Sequence, residues 1–242
     1  MRLTLENPTL FAKAIDLISE LVMEVRIKLN EYGLLIVAID PANVSMLKLS
    51  VPRSAFKEFE VGEEVLGVNL EDLKKILKRT TKTGDLSLEK IDNRLEIKIE
   101  DKIKRTFNMN LIELDFEDKE FPSHLEFSSR VKISSQDFVD SIEDCLVVSD
   151  ACSFKVEDNK FIVEAKESSS ARSEFGEEVA EIEAENSHSR YSLDYLQKFS
   201  KASRNFEKII LNFGTDHPMR MDLNSEHLSL SFILAPRIET ED

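Results

Sequence analysis

The stretch Val68–Lys82, VNLEDLKKILKRTTK, gathers five cations, Lys74, Lys75, Lys78, Arg79 and Lys82, in a chain of formal net charge -15. Lysine-rich rows without interleaved aromatic rings suit phosphate oxygens, because they offer point charges and no platform on which a base could stack. The chemistry on offer is sequence-independent attraction to a duplex backbone, set against the alternative of an ordinary solvated helix face. Helical spacing places Leu70, Leu73, Ile76 and Leu77 on one apolar stripe. Lys74, Lys78 and Lys82 then stack on a neighbouring face, with Lys75 and Arg79 in a parallel row. A second set, Lys198, Lys201 and Arg204, recurs at helical steps away from the apolar Leu193, Leu196 and Phe199.

No other chemistry has a local signature. His124, His188, His217 and His227 form no His-x-x-x-His pattern, and Cys145 and Cys152 form no Cys-x-x-Cys pair, so neither a metal nor a cofactor is expected. The two cysteines are expected as small buried thiols rather than a disulfide. Six glycines make no dinucleotide fingerprint and no phosphate loop, and no nucleophile elbow is present. A binding or scaffolding protein is expected, not an enzyme. An active site assembled from distant residues on an unrelated α+β fold stays open as an alternative.

The bulk numbers agree. A length of 242 residues allows one large or two ordinary domains. The sequence pI of about 4.8 argues against coating nucleic acid or membrane with the whole surface. A basic patch can still act locally, because salt confines fields to about 10 Å. No apolar run is long enough to span a bilayer. The start MRLTLENP shows no apolar signal region, so a cytoplasmic place is the default and no membrane partner is expected.

The elements that must position these cations repeat. A shift of 127 residues lays Phe11 on Phe138, Ile15 on Ile142 and Leu21 on Val148. The same shift lays Val25, Ile27 and Leu29 on Cys152, Phe154 and Val156, and Leu34, Ile36 and Ala38 on Phe161, Val163 and Ala165. Helical spacing comes first and alternation follows, predicting helix, strand, turn, strand in each copy, with turns at Glu31-Tyr32-Gly33 and Asp158-Asn159-Lys160. A shift of 123 lays Leu70, Leu73 and Ile76 on Leu193, Leu196 and Phe199. Asn7 before Pro8, Ser134, Asn69 and Ser192 are the expected N-caps of four helices, two per half. LEIKIED, from Leu95, predicts a strand, and MRMDLNSEHLSLSFIL, from Met219, predicts a hairpin turning at Asn224-Ser225. The expected class is α+β: two similar domains, 1–114 and 131–242, each an antiparallel sheet assembly with two helices on one side. Residues 115–130 form the expected connecting loop, within an acidic stretch from Glu113 to Arg130 that also holds Phe116, Phe121 and Phe127.

Several segments carry a family resemblance. GLLIVAIDPANVSMLKLSV (Gly33–Val51), VNLEDLKKILK, FPSHLEF in the connecting loop and above all FILAPRIE (from Phe232) resemble the archaeal form of the proliferating cell nuclear antigen sliding clamps. The resemblance covers essentially the whole chain. It implies a trimeric, pseudo-sixfold ring around double-stranded DNA, with sheets outside and two helices per domain lining the inner face. It implies a processivity factor for replication and repair, opened by a clamp loader and itself catalysing nothing. DNA polymerase, flap endonuclease and DNA ligase would dock through short PIP peptides. The implied DNA face is Lys13 with the two cation sets above.

The implied peptide pocket uses Ile39, Val44 and Met46, then Phe121, Pro122, Leu125 and Phe127 of the loop. Pro218 and the segment Ile233, Leu234, Ala235, Pro236 complete it. Ring closure would pair an edge strand carrying Lys104, Arg105, Phe107, Met109 and Leu111 with one carrying Ser170, Arg172, Glu174 and Phe175. Lys102, Lys104 and Arg105 could then face Glu174, Glu177 and Glu178 of the neighbour. One departure stands out. The third helix, QDFVDSIEDCL, carries Asp137, Asp140, Glu143 and Asp144 and no cation, and the first sets Asp16 and Glu20 beside Lys13. A heterotrimeric or damage-specialised clamp subunit is therefore the alternative.

Overall fold

The computed structural model describes residues 1–115 and 119–238; the linker residues Phe116, Glu117 and Asp118 and the tail residue Glu239 lie outside them. The chain separates into two compact units, the first Met1–Pro41, Leu47–Phe121 and Ser225–Leu230, the second Ala42–Met46, Pro122–Asn224 and Ser231–Asp242, so that the strands Ser45–Pro52 and Ser229–Leu234 are each assigned to the unit that holds most of the strand.

The first unit contains β1 (Arg2–Glu6), α1 (Thr9–Ile18), β2 (Glu24–Asn30), β3 (Gly33–Ile39), β4 (Ser45–Pro52), β5 (Phe56–Glu60), β6 (Glu64–Asn69), α2 (Leu70–Leu77), β7 (Asp85–Ile91), β8 (Arg94–Glu100) and β9 (Lys104–Asn110). Its strands run β5-β1-β7-β8-β9 in one sheet and β4-β3-β2-β6 in another run. The second unit contains β10 (Ser129–Ser134), α3 (Ser135–Leu146), β11 (Ala151–Glu157), β12 (Lys160–Lys166), β13 (Ser170–Phe175), β14 (Ala180–Ala184), β15 (Ser187–Ser192), α4 (Leu193–Ser203), β16 (Lys208–Phe213), β17 (Met219–Asn224) and β18 (Ser229–Leu234). Its runs are β14-β10-β16-β17-β18 and β13-β12-β11-β15. Adding nine to every strand label of the first unit reproduces the second. The duplication legible in the sequence is thus a duplication of topology.

Alternation explains the strands. In β8, Leu95, Ile97 and Ile99 are fully buried while their neighbours face outward. The β11–β12 hairpin closes on Asp158 and Asn159, both at positive φ (49° and 59°), the geometry a two-residue hairpin loop needs and these residue types tolerate. Gly33 sits at φ 140°, where a Cβ would lie 2.2 Å from the Val51 carbonyl, so the β2–β3 turn requires glycine. The β17–β18 turn is Ser225–Leu228, closed by the Ser225 N–H on the Leu228 carbonyl (2.9 Å), one or two residues beyond the expected bend.

Helix faces follow the predicted stripes. α1 buries Phe11, Ala14, Ile15, Leu17 and Ile18, and α2 buries Leu70, Leu73 and Leu77. α3 buries Phe138, Val139, Ile142 and Cys145, while α4 buries Leu193, Leu196 and Phe199. Each such side chain contributes about 1.5–3 kcal/mol by leaving water, so the apolar stripes, not the caps, hold the helices down. The caps needed correction. Asn69 and Ser134 cap as expected, accepting from the Asp72 and Gln136 amides. Asn7 does not: it lies at φ 54°, and Pro8 takes the cap position without a side-chain bond. Ser192 occupies its cap position but makes no capping bond. Cys145 and Cys152 are free thiols, each 1% exposed. Their surroundings split the pair: a hydrogen bond from Cys152 pulls the Cys145 thiol down, and burial pushes Cys152 well up.

Candidate nucleic-acid and partner surfaces

Asn69 starts α2, Glu71 and Asp72 fill its first turn, and Lys74 and Lys75 fill its last, the charge order a helix dipole favours. Lys74 Nζ lies 3.1 Å from Asp16 Oδ1 on α1 and 3.7 Å from Glu71, and Lys78 Nζ lies 3.4 Å from the same Asp16 oxygen. That oxygen is shielded from solvent without a well-aligned donor, so the contact is an ion pair more than a directed hydrogen bond. Asp16 is nonetheless the main cause of a Lys74 pKa above its ordinary value. Lys75 pairs with Asp72 at 3.1 Å. Lys13, Lys75, Lys78, Arg79 and Lys82 are exposed. The predicted three-tier row is not formed on the helix: α2 ends at Leu77, Lys78 is its C-cap, and Lys82 sits in the turn beyond. Thr80 Oγ1 donates to the Leu77 carbonyl, and a hydroxyl bonding the last turn's carbonyl favours chain exit over another turn.

In the second unit Lys198 Nζ lies 5.4 Å from the centre of the Tyr195 ring, and Lys201 is exposed. Arg204 is the C-cap of α4 and its guanidinium bonds the Glu143 carboxylate on α3. The acids Asp16 and Glu143 are partners that reading the cations alone missed. The 127-residue shift was the available signal, since it lays Asp16 on Glu143.

The residues expected to hold a peptide are placed unevenly. In the first unit Ile39 and Phe121 are half-buried, and Lys48 Nζ stands 6.0 Å from the Phe121 ring centre. In the second unit Val44, Met46, Leu125, Phe127, Pro218, Ala235 and Pro236 are half-buried, and Pro122 is exposed. Phe127 stands edge-on to His217 at 5.6 Å, next to Pro218. The Ala235 N–H donates to the Val44 carbonyl (2.9 Å) and the Arg237 N–H to the Arg190 carbonyl (2.7 Å), tying the C-terminal segment down. Leu234 is a correction: at 0% exposed it is core, and Ile233 is 9% exposed.

The expected edge strands are edges. β9 ends the five-stranded sheet and β13 ends the four-stranded one. Met109, Leu111 and Phe175 point into their own units, at about 8% exposed each, and Phe175 stacks on Phe161. Phe107 is half-buried and Ser170 exposed. Several of the residues named for that charge match also have partners within the chain. Lys104 pairs with Glu100, Arg105 with Asp101, and Arg172 with both Glu164 and Glu174. Lys160 also holds Glu174, and Asn159 reaches Glu177.

Among the described residues the shifted carboxylates Asp101, Glu164, Glu174 and Glu181 each sit beside a cation. Partial burial would raise Glu164, but hydrogen bonds from Lys155 and Arg172 hold it below the usual carboxylate range. Arg172 and Lys160 lower Glu174, and Tyr191 is pushed far up by burial. A groove of 580 Å³ in the second unit sets Glu164 and Asp216 among His188, Arg190 and Arg237, opposite charges on a sheet face. Among the described residues no three His, Cys, Asp or Glu side chains gather to hold a metal, and no helix is long and apolar enough to cross a membrane.

Over 98% of its length the chain is 32% identical to the DNA polymerase sliding clamp of Methanothermobacter thermautotrophicus, 98% of which is covered in turn. The chain belongs to the proliferating cell nuclear antigen family of sliding clamps. The clamp of Pyrococcus furiosus is 34% identical over 95% of each chain. The family pattern described as the proliferating cell nuclear antigen N-terminal domain matches residues 1–120. Among solved structures, a chain of the PCNA2–PCNA3 complex from Sulfolobus tokodaii superposes with a TM-score of 0.90 at 27% identity, covering 99% of this clamp chain and all of that one. The proliferating cellular nuclear antigen of Entamoeba histolytica gives 0.91 over 98% of both chains; at 21% identity it speaks for the fold alone.

Proposed function

We propose that this chain assembles head to tail into a three-subunit ring around duplex DNA and tethers a replicative polymerase to its template, catalysing nothing itself. The near-full-length likeness to archaeal DNA polymerase sliding clamps carries the proposal. Three features support it. Cations stand on the second helix of both units, so a ring would present phosphate-binding charge repeatedly. β9 and β13 end their sheets, as a heterologous interface needs. Half-buried apolar side chains around Val44, Phe127 and Pro218 flank a bonded C-terminal segment, a place for a hydrophobic peptide plug. Flap endonuclease, ligase and the clamp loader are proposed to use that place, in the cytoplasm, through PIP peptides. Domains at 1–114 and 131–242 joined by 115–130 belong to the same proposal.

Light scattering of the full chain tests it. The expected mass is about three times 27.7 kDa, with polymerase stimulated on long primed templates. A monomer that stimulates nothing, alone or mixed with related subunits, contradicts it. A second reading, a heterotrimer, is favoured by α3, whose acids Asp137, Asp140, Glu143 and Asp144 meet no cation on their own helix. A relative occurs as a PCNA2–PCNA3 complex. A trimer that appears only on mixing unlike subunits would select that reading.

A further inference from the structure

Each unit carries an acid on its first helix that meets the cation capping its second. Asp16 lies 3.4 Å from Lys78, the C-cap of α2, and 3.1 Å from Lys74. Glu143 bonds Arg204, the C-cap of α4. The repeat shift lays the two acids on one another. The same bridge is therefore built twice, once from aspartate and lysine and once from glutamate and arginine. Fastening the helices does not require it. Ile15, Leu73 and Leu77 between α1 and α2, and Ile142, Leu196 and Phe199 in the second unit, are already 0% exposed. The Glu143–Arg204 bridge is half exposed, at 54% and 52%, as are Asp16 and Lys78, at 44% and 60%, and such pairs add little to stability; only Lys74, at 18%, is held deeper.

We infer that Asp16 and Glu143 are resident competitors for DNA phosphate, positioning residues that hold the second-helix cations in place while weakening their grip on the duplex. The inference rests on the reading that those cations face DNA. An ammonium that already carries a carboxylate at about 3 Å must share or leave it to neutralise a phosphate, so fewer counterions are released on binding. Lys74, only 18% exposed, is the most fully held, and Lys78, at 60%, remains within reach of solvent. A ring that must move along its template is served by cations that are oriented but already half satisfied.

Anisotropy of a labelled linear duplex, titrated with the full-length protein between about 50 and 200 mM salt, reads the effect through the slope of log affinity against log salt. Asp16→Asn is expected to steepen the slope by about 1–2 and Glu143→Gln by about 1, at roughly 0.9 per added phosphate contact, with several-fold tighter binding at the low-salt end. Asp16→Glu should keep the wild-type slope. Lys74→Glu with Lys78→Glu supplies the control and should flatten it. If the control flattens the slope and Asp16→Asn and Glu143→Gln leave it unchanged, even with a lowered melting temperature, the bridges are only fasteners and the inference is overturned. If the control also changes nothing, the DNA-facing reading fails and the inference falls with it.

Discussion

Where the first unit buries Ile27 and Leu34, the second buries Phe154 and Phe161 at the equivalent places. Phe154 meets Tyr191 at 5.3 Å, Phe161 at 5.5 Å, Phe213 at 6.0 Å and Phe138 at 6.3 Å. Among the described residues of the first unit no such ring cluster forms; its core is mainly leucine, isoleucine and valine around Phe11 and Phe56. Both cores fill the same strand order. Alternation and turn chemistry set the topology, and volume is exchangeable within it. The helices differ in the opposite sense: apolar stripes agree and charges do not. The first unit sets five cations in and just after α2, and the second keeps three in and just after α4 beside an acidic α3. Core composition is free to drift where the fold is kept; surface charge is where the halves have become different instruments.

The largest way to break the comparison is in the core. Phe154→Ala should cost about 3–5 kcal/mol, while Ile27→Ala should fall toward the lower end of the ~2–5 kcal/mol range, because flexible aliphatic neighbours close in more readily. Denaturant midpoints of the two variants check this, and equal losses would deny the ring cluster its role. Next comes the peptide place. Phe127→Ala should weaken titration of a PIP peptide about tenfold, equivalent to ~1.4 kcal/mol, with the oligomer mass intact. Leu234→Ala should act chiefly on stability, since that side chain is core.

The second helices give a smaller contrast. Asn69→Ala should cost about 1 kcal/mol as a lost cap, and Ser192→Ala much less in capping, because Ser192 makes no capping bond. Thermal unfolding that showed equal costs would show the cap bond to be idle. Smallest is the acid limb. Glu164 and Glu174 have folded pKa values below their unfolded ones, so their contribution is present above the unfolded carboxylate range and is lost as pH falls through the folded values. Glu164→Gln should therefore flatten stability against pH below about 4.5; an unchanged acid limb would remove the Lys155–Glu164–Arg172 network from the account.

Much of the fold was legible because its signals are local and repeated. The buried alternation of Leu95, Ile97 and Ile99, the stripe Leu70–Leu73–Leu77 and the turn Asp158-Asn159 each read directly from spacing. Helix ends were less legible. Asn7-Pro8 looks like a cap, but its backbone is set by the chain leaving β1, and Lys82 fell outside a helix that a hydroxyl helped to end. The cations of the candidate site were visible as a row. Their partners were not, because Asp16 and Lys74 are 58 residues apart and meet only when α1 packs on α2.

The claim that the second-helix cations hold duplex phosphate is tested most directly by Lys74→Glu/Lys78→Glu/Arg79→Glu. The salt dependence of duplex binding should become shallower by about 1–2, roughly 0.9 for Arg79 and less for each of Lys74 and Lys78, which Asp16 already half satisfies, with the solution mass unchanged. An identical salt slope for variant and wild type, in an oligomer of the same mass, would contradict the account.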